Sequence, residues 1–252
     1  PQAYNEDLHI EAVGGALALI RLAKGLKPEY SHSVSASADL YHSFGRLQAN
    51  LLVEGFYTML NNVFTLVRIG ENEDGSIVYW ERRNGSGATV AGVNFEGKIG
   101  IPHRFELQLG YTLQSSRYDT PERWSDQLAP QRKMFRAPDH YGYLTSLFDI
   151  TPRFKASLFG TYTGSMLVKH ILSDGTNETD LEQNTPSFWD MGIKLAYTFR
   201  IGKAVNLEVN TGVKNIFDAY QKDLDYGAFK DADYVYGPSL PRMYFVGIKF
   251  SI

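Results

Sequence analysis

The sequence predicts an all-β chain whose antiparallel strands make up part of a transmembrane β-barrel wall. Three observations predict it. Apolar and polar residues alternate with period two along most of the chain, as side chains on the two faces of a strand must. The alternating runs are about ten residues or longer, against five or six in ordinary soluble sheets. Tight turns at 42–45, 100–103, 151–152 and 200–203 also alternate with connections several times longer. Outer-membrane barrels have that asymmetry, short on the periplasmic side and long outside.

The totals agree. The chain has 252 residues and a net charge of −3, with a pI near 6.1, which points to no nucleic-acid partner. It contains no cysteine, so disulfides and thiolate metal sites are excluded. Its longest apolar stretch, Ala12 to Ile20, ends at Arg21 and falls well short of the roughly 20 residues that span a bilayer as a helix. A mean hydropathy of −0.27 still suits a barrel, where only every second strand residue meets lipid. There is no leader-like start and no initiator Met before Pro1, so the chain is expected to be processed or part of something longer.

Residues 1–29 are expected to form an extracellular loop entering the barrel. Gly14-Gly15 and the run Lys24 to Glu29 read as loop, with room for a short strand over Ala16 to Ile20. Residues 30–252 form the wall. Ser33, Ser35, Ser37 and Asp39 interleave with Val34, Ala36, Ala38 and Leu40, and Gln48, Asn50 and Glu54 oppose Leu47, Ala49, Leu51 and Val53. Asn94, Glu96 and Lys98 oppose Val93, Phe95 and Ile99, while Phe105 to Leu113 alternate with Glu106 to Gln114. Tyr141 to Ile150 is extended but blurred, with neither face clearly apolar. Phe154 to Tyr162, Trp189 to Phe199 and Val205 to Val209 repeat the pattern. Three long polar loops fall at 118–134, 170–187 and 221–240. The strands expected are 30–41, 46–69, 77–99, 103–118, 139–150, 153–168, 187–200, 203–215 and 241–252.

The closing strand carries Tyr244, Val246, Ile248, Phe250 and Ile252 on one side, all apolar or aromatic. A soluble β-sandwich also alternates. A greasy edge strand of this kind is a liability in water and makes sense against lipid, zipped to a partner strand. Nine strands leave two open edges, whose unpaired backbone groups would cost several kcal/mol each in hydrocarbon. Single-chain bacterial barrels have even strand counts. The chain is therefore expected to be the C-terminal part of a larger barrel.

The segment Gly212-Val-Lys-Asn215-Ile-Phe217-Asp-Ala-Tyr220 resembles the G-V-x-N-L/I-F-D/N-x-x-Y segment near the end of TonB-dependent outer-membrane receptors. Leu26-Lys27-Pro28-Glu29 is similar to that family's L-K-P-E, and Pro1 to Tyr4 to the end of the box that precedes it. The terminal strand resembles the C-terminal strand of bacterial outer-membrane barrels, where it is also the assembly signal, although Ile252 stands where Phe or Trp is usual. The overall style is most similar to receptors of the Bacteroides group. The resemblance implies the last nine strands of a 22-stranded barrel around a plug that lies outside this chain. It implies active uptake of a scarce nutrient (iron–siderophore, haem or cobalamin) across the bacterial outer membrane. The implied partners are outer-membrane lipid, the remainder of the barrel and its plug, the TonB complex and the barrel assembly machinery. A glycan importer capped by a surface lipoprotein, or a self-contained barrel enzyme or adhesin, are the alternatives. Haem receptors of the family place a ligand histidine where His9 falls, but Ala23-Lys24 replaces their Asn-Pro.

No catalytic constellation emerges: six scattered histidines form no H-x-x-x-H, and there is no G-x-S-x-G. No enzyme activity, cofactor or metal is expected. Arg117, Tyr118, Arg123, Trp124, Arg132 and Arg136 in one loop, with Tyr226, Phe229, Tyr234 and Tyr236 in another, suit an anionic or planar ligand. Asp218, Asp223, Asp225, Asp231 and Asp233 read as a solvated acidic loop rather than a calcium site, since ligand spacing is irregular. Asn215 and Asp218 have the chemistry to bond backbone at a strand end, and Phe217 and Tyr220 to sit at the membrane interface.

Overall fold

The computed structural model describes residues 17–202, 205–238 and 240–251. Pro1 to Tyr4, His9, the Gly14-Gly15 pair and Ile252 lie outside them. In chain order the strands are β1 (Leu17–Leu22), β2 (Tyr30–Phe44), β3 (Leu47–Asn61), β4 (Phe64–Glu71), β5 (Ile77–Asn84), β6 (Ala88–Ile101), β7 (Phe105–Glu122), β8 (Gln131–Lys133), β9 (His140–Thr151), β10 (Phe154–Thr163), β11 (Leu167–Ser173), β12 (Glu178–Asn184), β13 (Phe188–Ile201), β14 (Val205–Lys214) and β15 (Met243–Ser251).

The wall is one antiparallel sheet in the order β15-β14-β13-β10-β9-β7-β6-β3-β2, with β8 paired to β7 beside it. That path has nine strands, and its members are sequence neighbours except where outer hairpins intervene. Short turns at 45–46, 102–104 and 152–153, with the turn that Gly202 begins after β13, lie along one edge. The long connections lie along the other.

Two expected strands are broken. The stretch 46–69 divides at Asn62, whose φ of 56° is one that asparagine tolerates better than most residues. The stretch 77–99 divides at Gly85 to Gly87. The detached pieces, β4 and β5, form a three-stranded sheet with β1, which lies parallel to β5. The stretch 153–168 likewise ends as wall at Thr163, and the expected loop 170–187 is largely the hairpin β11–β12.

Register separates the faces. Tyr244, Val246 and Ile248 pair with Val213, Thr211 and Val209, and these with Ile193, Leu195 and Tyr197. The same side continues through Leu158, Leu109, Phe95, Val53 and Ala38. On β9 it carries Leu144, Ser146 and Phe148, while Tyr143, Thr145 and Leu147 take the other face. Small residues on the apolar side and aromatics on the polar side blur that strand's sequence pattern.

The apolar face is uncovered: Tyr244, Val246, Ile248 and Phe250 are 75%, 74%, 64% and 68% exposed. So much contiguous apolar surface is stable only against lipid or another protein. The polar face is cross-linked. Asn94 Nδ2 donates to Glu54 Oε2 (3.0 Å), Thr112 Oγ1 to Asn94 Oδ1 (2.9 Å) and Gln108 Nε2 to Glu96 Oε1 (2.8 Å). Lys98–Glu106 (2.8 Å) and Lys155–Asp149 (3.0 Å) add ion pairs. Aromatic rings on this face cover facing glycines, Phe56 on Gly92, Tyr143 on Gly110, Phe159 on Gly192 and Phe245 on Gly212. That packing holds register where a side chain is missing. The buried apolar cluster of the described residues, Val168, Phe188, Tyr234 and Tyr236, lies among the long connections.

Candidate functional site

The long connections form a collar above the wall, anchored by asparagines at strand ends. Asn84 Nδ2 donates to Asn62 O (2.8 Å) and Lys27 O (3.0 Å), and its Oδ1 accepts from Lys27 N (2.7 Å). Asn62 Nδ2 reaches Pro28 O at 3.2 Å. The Leu26–Glu29 motif is thus tied to both strand breaks as the chain enters β2. At the other end Asn215, 2% exposed, donates from Nδ2 to Ala219 O (2.9 Å) and Leu240 O (2.8 Å) and accepts from Ala219 N (2.8 Å). Asp218 Oδ1 accepts from Arg242 N at 2.8 Å. Both residues have positive φ, 49° and 52°, a region to which short polar side chains are suited. Phe217 and Tyr220 stay 62% and 43% exposed beside them.

The described residues of 215–242 contain no strand, yet they are packed. Tyr234 and Tyr236 are buried, and their hydroxyls donate to the two oxygens of Asp223 at 2.7 and 2.5 Å. Gln221 accepts from Tyr236 N (2.7 Å) and donates to Tyr234 O (3.0 Å). Burial pushes the Asp223 carboxyl up, but the hydrogen bonds from Tyr236 and Tyr234 outweigh it and hold the group below the usual carboxylate range. Burial, then the neighbouring Asp223, pushes Tyr236 up to about 12 and Tyr234 further still. The His170 ring stacks on Tyr234 at 3.5 Å, and its Nε2 lies 3.0 Å from Asp225 Oδ2. Asp231 accepts from Ile171 N (2.8 Å) and Asp233 N (2.9 Å). The acidic run that reads as a solvated surface therefore serves largely as a set of internal acceptors, binding this loop to β11.

The other connections interlock. Arg68 of β4 bridges to Glu178 of β12 at 3.0 Å. Trp124 Nε1 donates to Glu182 Oε1 (3.0 Å), and Gln127 exchanges bonds with Glu178 O and Asp180 N. Lys169 stands over the Trp124 and Phe135 rings at 5.2 and 5.1 Å, a cation–π arrangement.

The residues that suggested ligand contact therefore divide. Trp124 and Arg136 are joined through the collar, since the Arg136 guanidinium donates to the carbonyls of Asp233 and Val235. Tyr234 and Tyr236 are enclosed as loop supports. Arg117, beside Lys133 in the β7–β8 pairing, and Arg123 and Arg132 are exposed, and Tyr118 is half-buried. Tyr226 is 83% exposed. With Phe229, Leu224, Lys230 and the β11–β12 tip at Asp174 and Asn177 it lines a groove of about 580 Å³. Asn62, Asn84, Gln221 and His170 escaped sequence reasoning. Single polar residues inside loops leave no periodic signal.

A family model described as TonB dependent receptor-like, beta-barrel, matches residues 5–216. No curated protein matches the sequence. Solved structures share the fold. The ferric-catecholate import receptor Fiu of Escherichia coli superposes with a TM-score of 0.59 at 22% identity, over 91% of this chain and 28% of its own. The ferripyoverdine receptor of Pseudomonas aeruginosa gives 0.58 at 16%, over 90% and 27%. The copper transporter OprC gives 0.59 at 14%, over 92% and 33%. The chain thus spans about a third or less of the length of these structures. With nine wall strands in unbroken antiparallel order and the family model covering most of its length, the chain belongs to the β-barrel family of TonB-dependent receptors, proteins of the bacterial outer membrane.

Proposed function

We propose that the chain is the C-terminal wall and outer collar of an active transporter that takes up a scarce metal-bearing nutrient, an iron–siderophore, haem or cobalamin. The observation that carries this reading is the interlocked collar standing over a polar, hydrogen-bonded wall face within a family-typical sheet. Residues 1–29 enter from the extracellular side, and 30–252 supply wall and collar. The unpaired edges of β2 and β15 are closed by further strands of the same receptor, around a plug. The barrel assembly machinery reads the closing strand from Tyr244 to Ile252. Energy arrives through TonB from the inner-membrane proton gradient, and the wall performs no covalent chemistry. The three structures above are named for ferric catecholate, ferripyoverdine and copper, which favours a metal-bearing cargo. Exposed Arg123 and Arg132, with the Tyr226 groove, offer cationic and aromatic contacts to such a ligand, whereas Arg117 shares the face of Leu109 and Leu113.

Deleting the gene and following labelled iron chelates, haem and cobalamin into intact cells tests the reading. Uptake of one cargo is expected to fall to background and to return with the intact gene. Unchanged uptake of all three classes would contradict it.

A further inference from the structure

The short turns of the wall share a chemical feature. Arg46 lies in the β2–β3 turn, Arg104 closes the β6–β7 turn, Arg153 closes the β9–β10 turn, and Arg200 immediately precedes Ile201 at the end of β13. All four are exposed, and none forms an ion pair among the described residues. The carboxylates of this end differ, because lysines of the same face take them up. Glu106 pairs with Lys98, Asp149 with Lys155 and Glu208 with Lys194. What remains is a row of guanidinium groups.

Register decides which side of the wall they occupy. Phe105 and Phe154 lie on the apolar face, so Arg104 and Arg153, one residue earlier, fall on the polar one. The ladder continues through them, with Asp149 N donating to Arg104 O and Thr198 N to Arg153 O, both at 2.8 Å. Arg200 pairs with Asn206 on the same face. Arg104, His103 and Lys98 also line a cleft of about 340 Å³ at this end. Successive turns are two strands apart, about 10 Å, which matches every third residue of an extended peptide.

We propose that this row docks an acidic polypeptide segment lying across the short-turn mouth of the lumen. A guanidinium fork fits a carboxylate in two parallel hydrogen bonds, and a spaced row selects an extended strand of such groups. Phospholipid headgroups, the other abundant anions at this depth, approach from the apolar side. The inference holds for any cargo. It rests on the polar face being the lumen wall, which lipid quenching tests separately.

The test uses the intact receptor carrying Arg46→Lys, Arg104→Lys, Arg153→Lys and Arg200→Lys, treated with a zero-length carbodiimide that joins amines to carboxylates, followed by peptide mapping. Cross-links from the introduced lysines to Asp or Glu residues outside the wall are expected, weakened about tenfold by molar salt, which screens exposed charge. Cross-links confined to Glu106 and Asp149, or none, would overturn the proposal. So would an anionic phospholipid that copurifies with the native receptor and is lost from the corresponding Arg→Gln variant.

Discussion

Truncating Asn215 to alanine removes two donated hydrogen bonds and one accepted bond from a side chain only 2% exposed, leaving carbonyls of Ala219 and Leu240 without that partner. The expected loss is about 2–4 kcal/mol, read as a lower melting temperature and as new protease cuts between 215 and 242. Asn215→Asp is no rescue, because a carboxylate offers acceptors where two donors are needed. Gly212 carries a steric argument. A Cβ there would stand 2.2 Å from Ile193 O and 2.6 Å from the Phe245 ring, whereas at Gly97 it would meet nothing within 4 Å. Gly212→Ala is therefore expected to cost about 1–3 kcal/mol and Gly97→Ala close to none, measured by thermal unfolding of the two variants side by side. Equal melting temperatures would remove the glycine–aromatic pairing from the account.

The described residues of 215–242 show how a loop without strands is held by titrating groups. Asp223 lies below its ordinary 3.8 because Tyr236 and Tyr234 bond it more strongly than burial penalises it, and Tyr236 is raised from 10.0 to about 12 by burial and by Asp223. The depressed carboxylate contributes stability that is complete above about 4 and fades as pH falls through the lower folded value. The raised phenol contributes stability that is complete below about 10 and fades as pH climbs towards 12. The loop is expected to resist proteolysis evenly between those limits and to loosen outside them, with Tyr236→Phe weakening the alkaline loss. Loosening near neutrality would contradict the assignment. None of this was legible in the sequence, since tyrosines meeting an aspartate across 11 and 13 residues have no period. The wall was legible, because alternation and short turns survive translation into structure. The detached hairpin β4–β5 reads as wall for the same reason: its residues keep alternating past the break at Asn62, where only a backbone angle changes. The β11–β12 hairpin hid because its buried side includes His170, a polar residue packed on Tyr234.

For the molecule as a whole, one sheet separates two solvents. Its apolar face is too exposed to rest in water, and its polar face too fully bonded to rest in oil. Everything else depends on that division, from the collar over the lumen to the arginine row at the opposite mouth. The chain contains no cysteine, so once any cysteine elsewhere in the intact receptor is replaced by serine, single cysteines introduced along β14 label cleanly with a fluorophore. In vesicles of brominated lipid, labels at Leu207, Val209 and Val213 are expected to be quenched by the lipid. Labels at Asn206, Glu208 and Asn210 are expected to escape it and yield to a water-soluble quencher. A strand on which that alternation fails, or whose apolar-face labels are shielded from lipid and water alike, would contradict the membrane wall.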